Sequence, residues 1–376
     1  MDDTEWILLN PGPANTSASV RRALVMPDLC HREPEFFSMM RACREGLVRL
    51  AAGGSRDFTA VLFTGSGTAA VEAAVASAVP RDGALLVVDN GVYGDRMLRI
   101  ARAHAIEVER VAADNVTPVD PAAIDAALAR RPDVTHVAVV HHETTTGLLN
   151  PVGEVARVAA RRGRRVIVDA MSSLFGEPLD VTADGIDLVT ASANKCLQGI
   201  PGVSFVLARR SAVEALAGRP PRSVYLDLHT HYAQQEADNT PFTPAVQVLG
   251  AMAQALAELE QEGVAARIAR YAENARVLRA GMARLGFEIL VPEGARSSIL
   301  TTFRLPRGIA YDPLHDAMKR RGYVIYAGQG PIRTYAFRVS NMGTLTPADM
   351  ARVVEAFAAS LAELRAEAGV AGAAQR

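Results

Sequence analysis

The chain contains 376 residues, of which 49% are hydrophobic and 22% are charged. These fractions are ordinary for a soluble globular enzyme, and the length is enough for one large domain and a smaller one, each with its own core. The formal net charge of −1 does not favour a nucleic-acid partner, because such partners are held by an excess of positive charge.

Short β-rich runs alternate with Ala-rich helical patterns through the first part of the chain. Strands are predicted at Ala60–Phe63, Ala84–Val88, Val134–Val140, Arg165–Val168, Leu188–Ala191 and Ser204–Leu207. Helices are predicted between them at Thr68–Val79, Asp95–His104, Pro121–Arg130 and Val152–Arg162. Because the strands are apolar on both faces, this alternation predicts an α/β fold with a mostly parallel sheet covered by helices.

A different pattern begins near residue 245. It consists of helices at Ala245–Glu262 and Ala265–Leu285, a strand at Ile299–Arg304, a helix at Asp312–Arg321, strands at Tyr323–Tyr326 and Tyr335–Val339, and a final helix at Pro347–Glu367. We therefore expect a large domain over residues 1–260 and a smaller α+β domain over residues 261–376. The N-terminal segment, residues 1–20, is expected to pack near the small domain.

Cysteine usage and the N-terminus bear on the compartment. Cys30, Cys43 and Cys196 are too few and too scattered for a disulfide framework or a zinc site, so no metal is expected. Met1–Glu5 is acidic where a signal peptide would be basic. Apolar runs such as Val137–Val140 are far shorter than the about 20 residues of a membrane span. These features predict a cytoplasmic protein without a membrane partner.

The first candidate for a ligand site is the turn after the first strand, since open parallel sheets bind ligands at the carboxyl ends of their strands. Thr64–Thr68 is rich in small residues and leads at once into a helix, whose N-terminus suits a phosphate. The relaxed dinucleotide fingerprint also fits, as Gly65-x-Gly67-x-x-Ala70 with Asp89 ending the next strand. This turn alone leaves a phosphate site, a dinucleotide site and an ordinary turn open.

Two later strand ends carry more specific chemistry. Asp169 directly follows Arg165–Val168, and Lys195 comes shortly after Leu188–Ala191, so both are expected at one edge of the sheet. Pyridoxal 5′-phosphate (PLP) needs such a pair: an amine forms a Schiff base and carries a proton, and a carboxylate keeps the pyridine nitrogen protonated. A dinucleotide enzyme has no need of the lysine. A purely structural interpretation makes Asp169 a helix cap and Lys195 a surface residue.

Several tracts resemble class V aminotransferases, and they occur in the same order. They are Leu9–Pro13, Thr64–Thr68, Asn90–Arg96, His142–Gly147, Val168–Ser173 and Ser192–Cys196. Within the class, Glu143–Pro151 and Ser192–Pro201 are similar to the subgroup that transaminates 2-aminoethylphosphonate with pyruvate. The resemblance covers Ile7–Gly343 and implies the type I fold of PLP-dependent transferases, with a sheet of the seven-stranded type and a small C-terminal domain.

The resemblance implies a role for each matched residue. Lys195 matches the lysine of the Schiff base and Asp169 the partner of the pyridine nitrogen, so these are the catalytic candidates. The other implied cofactor contacts are Ser66, Gly67 and Thr68 at the phosphate, Tyr93 stacked on the ring, Thr145 beside the ring, Ser192 near the phosphate, and Thr240. Thr240 matches a segment that reaches the phosphate of the neighbouring subunit, which implies a homodimer with sites at the subunit interface.

The implied partners are a small amine and a keto acid. Arg338 matches the arginine that grips the substrate carboxylate, and its planar guanidinium suits that group. Gly12 and Arg32 are the further candidates for substrate binding. The donors considered for the phosphonate are the backbone of Gly12–Asn15 and the side chains of Arg32, Arg96 and Arg333.

One segment departs from the phosphonate subgroup. His31–Phe36 resembles alanine–glyoxylate and serine-type relatives, so His31 and Arg32 either bind an anionic head group or form a salt-bridged surface turn. The nearest rival function is therefore a class V transaminase for serine or alanine with glyoxylate. Further alternatives are a PLP lyase or cysteine desulfurase, an NAD-dependent dehydrogenase and a non-catalytic binding module. Cys196, beside the lysine, is expected to be buried filler and not a nucleophile.

Overall fold

A computed structural model describes residues 6–374 of the chain. The acidic start from which the absence of a signal peptide is predicted, residues 1–5, lies outside the described residues. Within the described range, no helix is long and apolar enough to cross a membrane. The same range contains no group of three or more His, Cys, Asp and Glu side chains that could hold a metal ion.

The elements follow the predicted alternation of strands and helices. The strands are β1 (Ile7–Leu8), β2 (Phe58–Thr64), β3 (Ala84–Asp89), β4 (Glu107–Ala112), β5 (Val134–Val140), β6 (His142–Glu143), β7 (Leu148–Leu149), β8 (Arg165–Asp169), β9 (Leu188–Ser192), β10 (Val203–Arg209), β11 (Leu300–Arg304), β12 (Tyr323–Val324), β13 (Tyr326–Ala327) and β14 (Ala336–Ser340). The α-helices are α1 (Ala18–Arg22), α2 (Pro34–Ala52), α3 (Gly67–Ala78), α4 (Val92–Ala103), α5 (Pro121–Arg130), α6 (Val152–Arg161), α7 (Arg210–Glu214), α8 (Leu228–Glu236), α9 (Val246–Glu262), α10 (Val264–Arg284), α11 (Tyr311–Arg320) and α12 (Pro347–Ala374).

The central sheet has seven strands in the order β2-β10-β9-β8-β5-β3-β4. Its neighbours are parallel except around β10, which runs antiparallel to both β2 and β9. The prediction of a mostly parallel α/β sheet is confirmed. Eight elements were missed, namely β1, β4, β6, β7, α1, α2, α7 and α8. Strand β4 lies at the sheet edge and its residues are exposed or half-buried, so it lacks the apolar run that marks the other strands.

The sheet is buried on both faces, which explains why its strands are apolar throughout. In β3, Leu86 and Val88 face the core formed with α2, α5, α6 and α9, while Leu85 and Val87 face the core formed with α3, α4, α7 and α8. Each apolar side chain removed from water in this way contributes roughly 1.5–3 kcal/mol. The two helical layers fix the strands, and with them the loops at the carboxyl edge.

The C-terminal part has a separate core. Helices α10, α11 and α12 pack on the antiparallel sheet β11-β14-β13 around Phe287, Phe303, Phe337 and Phe357. The Phe303 and Phe337 rings stack with centroids 5.7 Å apart. Strand β1 pairs in parallel with β12 of this part, and the N–H of Ser340 donates to the Leu9 carbonyl at 2.8 Å. The domain division at residue 260 remains a prediction.

Candidate active site

A cavity of about 560 Å³ opens at the carboxyl edge of the central sheet. It is formed by the glycine-rich turn between β2 and α3, the start of α4, and the segment that follows β9. Its lining contains many of the predicted site residues, namely Ser66, Gly67, Thr68, Tyr93, Ser192 and Lys195, together with Arg96. Strand ends that are far apart in sequence therefore meet at one cavity, as the parallel sheet predicts.

Lys195 is held beneath the N-terminal segment. Its Nζ donates to the Pro11 carbonyl at 2.5 Å, and burial lowers the pKa of the amine to about 8. Gly12 follows with a φ of 124°, and a Cβ at this position would lie 2.4 Å from Nζ. Only glycine therefore fits where the backbone crosses the amine. The salt bridges of the described residues do not include Lys195, so its amine is not tied to a carboxylate.

Asp169 ends β8, and its side chain is only 5% exposed. One carboxylate oxygen accepts a hydrogen bond from the N–H of Met171 at 2.9 Å, and no described residue donates to the other. Burial raises the pKa of this carboxyl, while the Met171 N–H and the charges of Arg96 and Lys195 act in the opposite direction. The result is a buried carboxyl group that has an acceptor free for a cationic donor.

The turn before α3 can bind an anion. Helix α3 begins at Gly67, and the side chain of its N-cap residue Ser66 does not cap the N-terminal amides. Ser66, Gly67 and Thr68 line the cavity, so this helix N-terminus lies at its wall. A Cβ at Gly67 would lie 2.2 Å from the Met171 sulfur. Across the cavity, the Ser192 hydroxyl is buried without a hydrogen-bond partner. A buried donor without a partner is costly unless a ligand completes it.

Arg96 contacts both Thr68, predicted at the phosphate, and Tyr93, predicted on the ring. Its Nη1 donates to the Thr68 hydroxyl at 3.2 Å, and its guanidinium carbon lies 4.6 Å from the centroid of the Tyr93 ring. Its positive charge also acts on Asp169 and Lys195. Arg96 thus places a positive charge at the cavity wall. From the sequence it is predicted only as a candidate donor to the phosphonate group.

Arg338 lies on β14 of the C-terminal part and is 6% exposed. Nε donates to the Ala327 carbonyl, and Nη1 donates to the Thr144 carbonyl and to Gln329 Oε1, each at 2.9 Å. Burial lowers the pKa of the guanidinium, and the described ion pairs leave it without a carboxylate. Nη2 is therefore available for an anionic ligand.

Six predicted residues are not among those that line this cavity, namely Gly12, Arg32, Thr145, Asp169, Thr240 and Arg338. Arg32 donates to the Thr240 carbonyl at 2.7 Å and to Asn239. The Thr240 hydroxyl is buried without a partner, and Arg333 is exposed. Arg32 thus binds the segment in which Thr240 lies, and its role in binding an anion remains a prediction.

Glu143 is the residue that sequence reasoning missed. It is fully buried in β6, and its carboxylate accepts hydrogen bonds from α4 and from Thr145, while burial raises the pKa of its carboxyl. The available signal was a carboxylate within a turn of buried hydroxyl residues. Thr145, predicted beside the ring, donates to Glu143 and accepts from the Val92 N–H.

Two alternatives lose support from the geometry. Asp89, the acid of the dinucleotide fingerprint, accepts a hydrogen bond from Arg110 at 2.7 Å and is already paired. Cys196 donates to the Ser172 carbonyl, and burial raises the pKa of its thiol, which disfavours the nucleophilic thiolate. His142 shares a hydrogen bond with the Ser172 hydroxyl and packs behind the site.

The sequence is similar to those of known aminotransferases. The family model for aminotransferase class-V matches residues 16–344. The chain is 45% identical over 359 residues to a 2-aminoethylphosphonate–pyruvate transaminase of Syntrophobacter fumaroxidans, with 94% of this chain and 96% of the relative covered. It is 43% identical to the transaminase of the same name from Aeromonas hydrophila, with 95% of each chain covered.

Solved structures with the same architecture include aminotransferases. An aspartate aminotransferase from Thermus thermophilus superposes with a TM-score of 0.87 and 28% identity, covering 96% of this chain and 99% of the other. A pyridoxamine–pyruvate aminotransferase from Mesorhizobium loti has a TM-score of 0.86 and 26% identity, covering 97% and 93%. The predicted resemblance and the type I fold are confirmed.

Proposed function

Because the chain belongs to the class-V aminotransferase family, we propose that it is a PLP-dependent transaminase that exchanges the amino group of 2-aminoethylphosphonate with pyruvate. The products are phosphonoacetaldehyde and L-alanine, or the reverse reaction runs. The observation that carries the chemistry is the meeting of the Lys195 amine, the Asp169 carboxyl group and an anion-binding helix N-terminus at one sheet edge. The relatives named for this reaction support the substrate pair.

The donors of the cavity fit PLP. The α3 N-terminus and the Ser192 hydroxyl, which lacks a partner, would hold the phosphate. The free oxygen of Asp169 would accept from the ring nitrogen, and Tyr93 would stack on the ring. When bound, PLP supplies an electron sink for the pair left behind when the substrate carbon loses its proton.

Lys195 supplies the proton transfer. With the pKa of its amine at about 8, an appreciable fraction of Nζ is neutral near pH 8 and able to take a proton from the amine-bearing carbon. The Pro11 carbonyl accepts from Nζ and orients it without neutralising a later positive charge. Asp169 would hold a proton at the ring nitrogen, because a buried carboxylate favours a cation beside it.

Two arginines would bind the substrate anions. Arg338 would receive the carboxylate of pyruvate through Nη2, since its other donors already bond Ala327, Thr144 and Gln329. Arg96 lines the cavity, and Arg32 and Arg333 do not, so geometry favours Arg96 among the arginines considered for the phosphonate. Gly12 brings its backbone against Lys195 and stays a candidate for the same group.

The homodimer is part of the proposal. Thr240 lies outside the Lys195 cavity of its own chain, with a buried hydroxyl that has no partner. A segment that serves the phosphate site of a second copy would account for the position of Thr240 outside the cavity of its own chain. Arg32 would then act on the partner's site by holding the Thr240 backbone.

An amino-donor comparison tests the substrate. The full-length protein with added PLP would be assayed for alanine formed from pyruvate with 2-aminoethylphosphonate, and in parallel with serine and with alanine plus glyoxylate. We expect kcat/KM to favour the phosphonate by at least about 100-fold, because a site with polar groups built for one anion rejects amines that leave them unpaired. Preference for serine or for alanine with glyoxylate would reassign the substrate within the same family.

A further inference from the structure

Glu143 is buried to 0% exposure, yet it forms no salt bridge with any described residue. Its charge is met by neutral donors. Oε2 accepts from the N–H of Tyr93 at 3.1 Å and of Gly94 at 3.3 Å. Oε1 accepts from the N–H and the hydroxyl of Thr145, at 3.1 and 2.6 Å. A carboxylate that accepts several N–H and O–H donors is stabilised without a cation.

The Glu143 carboxylate and the Thr145 hydroxyl together cap the N-terminus of helix α4. The Thr145 hydroxyl accepts from the Val92 N–H at 2.9 Å, so the first amides of α4 all end on Glu143 or on Thr145. A helix N-terminus favours negative charge, which explains a carboxylate here. Gly91 leaves the necessary room, since a Cβ at this position would lie 2.2 Å from the carboxyl carbon of Glu143.

The turn Glu143–Thr145 is also hydrogen-bonded to the C-terminal part of the chain. The carbonyl of Thr144, between the two capping residues, accepts from Arg338 Nη1 at 2.9 Å. The negative charge of Glu143 also acts on this guanidinium and opposes the effect of burial on its pKa. One short turn is therefore bonded both to the helix that carries Tyr93 and to the arginine of β14.

We propose that Glu143 is a positioning residue that sets two ligand contacts at once, the aromatic ring of Tyr93 and, through the Thr144 carbonyl, the guanidinium of Arg338. The inference rests on the proposed function for the identity of the ligands, the PLP ring and the keto-acid carboxylate. Glutamine cannot replace the carboxylate. Whichever way its amide is turned, the NH₂ group faces N–H donors of Tyr93 and Gly94 or of Thr145.

The test uses full-length Glu143→Gln, with Asp187→Asn as the matched control. Asp187 is a half-buried carboxyl group that accepts from the Val166 N–H at 2.8 Å, at the start of β8 and away from the cavity. The Kd for PLP would be measured by absorbance titration of the cofactor-free protein, and KM and kcat for pyruvate in the steady state. In Glu143→Gln we expect the PLP Kd and the pyruvate KM each to rise about tenfold, with a smaller change in kcat. The control should leave both at wild-type values.

A second variant guards against misfolding of the first. Gly91→Ala keeps Glu143 but places a methyl group against its carboxylate, and should raise the same two constants. The proposal is overturned if both variants bind PLP and pyruvate like wild type, or if Asp187→Asn shifts the constants equally. If the wild-type protein binds PLP but ignores pyruvate, the proposed function fails while the PLP titration still tests the contact with Tyr93.

Discussion

The two edges of the central sheet differ in whether their polar side chains have partners within the chain. At the amino edge, Asp187 accepts a hydrogen bond from the Val166 N–H at 2.8 Å. Asp133 nearby pairs with Arg131 at 2.7 Å. These two carboxylates therefore have partners within the chain.

At the carboxyl edge, the same strands end on groups that lack partners. Among the described side chains, that of Asp169 accepts a single hydrogen bond, that of Ser192 has none, and that of Lys195 donates only to a carbonyl. A buried polar group without a partner costs roughly 1–3 kcal/mol, so such groups are retained where a ligand completes them. The contrast teaches where to look for function on a sheet that is apolar throughout.

The largest effect is expected from Lys195→Ala. Removing the amine that carries the proton should lower turnover by at least about 1,000-fold with 2-aminoethylphosphonate and pyruvate. Steady-state kinetics on the variant measure this directly. Turnover within a few-fold of wild type would show that another group transfers the proton. The carboxyl edge would then differ from the amino edge in hydrogen bonding but not in catalysis.

The same substitution has a pH-dependent effect on the cofactor-free protein. The pKa of Lys195 lies at about 8 in the fold, below its ordinary value of 10.5, so the fold disfavours the charged amine. The resulting loss of stability is complete below pH 8 and fades as the pH rises to 10.5. Lys195→Ala should therefore unfold at a higher temperature than wild type at pH 7, with the gain gone near pH 10.5. Unfolding temperatures would be measured across this pH range. If Lys195→Ala and wild type unfold at the same temperature at pH 7, the fold does not disfavour the charged amine.

Arg338→Lys should raise the KM for pyruvate by roughly 10–100-fold and change kcat less, because lysine presents a point charge and not a planar fork. The measurement is a KM and kcat pair for each substrate. Equal losses in kcat and kcat/KM would instead place Arg338 in the proton-transfer step.

Ser192→Ala sharpens the contrast through a matched pair. Ser204 lies opposite Ser192 on β10, and its hydroxyl is also buried without a partner, but it does not line the cavity. Ser192→Ala should raise the Kd for PLP by about fivefold, and Ser204→Ala should leave it unchanged. Equal Kd values for the two variants would show that the Ser192 hydroxyl does not serve the cofactor.

Asp187→Ala gives the smallest effect on function. Turnover should stay at the wild-type value, while the free energy of unfolding falls by about 1–2 kcal/mol, because the Val166 N–H loses its acceptor. Chemical denaturation and steady-state kinetics on one preparation test both statements. A drop in turnover at unchanged stability would mean that the amino edge also serves the reaction.

The strands of the large sheet were predictable because their apolar runs are short and bounded by turns. Strand β4 escaped prediction, since an edge strand with half-exposed residues has no such run. Helix α2 was missed because its first turn, beginning at Pro34, was interpreted only as part of the tract His31–Phe36 that resembles relatives, although proline is common at the first helical position.

The placement of Asp169 and Lys195 at one edge follows from strand ends alone, since a parallel sheet brings those ends together. The role of Glu143 cannot be inferred from the strand ends. Its partners, Tyr93 and Gly94, lie about 50 residues away in sequence, and only the packing of α4 against the hairpin β6–β7 brings them together. The contact of Arg32 with Thr240 is likewise long-range.

The most direct test of the carboxyl edge as a PLP transaminase site is the absorbance spectrum of the PLP-loaded protein as 2-aminoethylphosphonate is added without a keto acid. We expect the band of bound PLP to convert to that of pyridoxamine phosphate and pyruvate to restore it, and we expect neither change in Lys195→Ala. A protein that takes up no PLP, or a Lys195→Ala variant that cycles like wild type, would contradict this expectation.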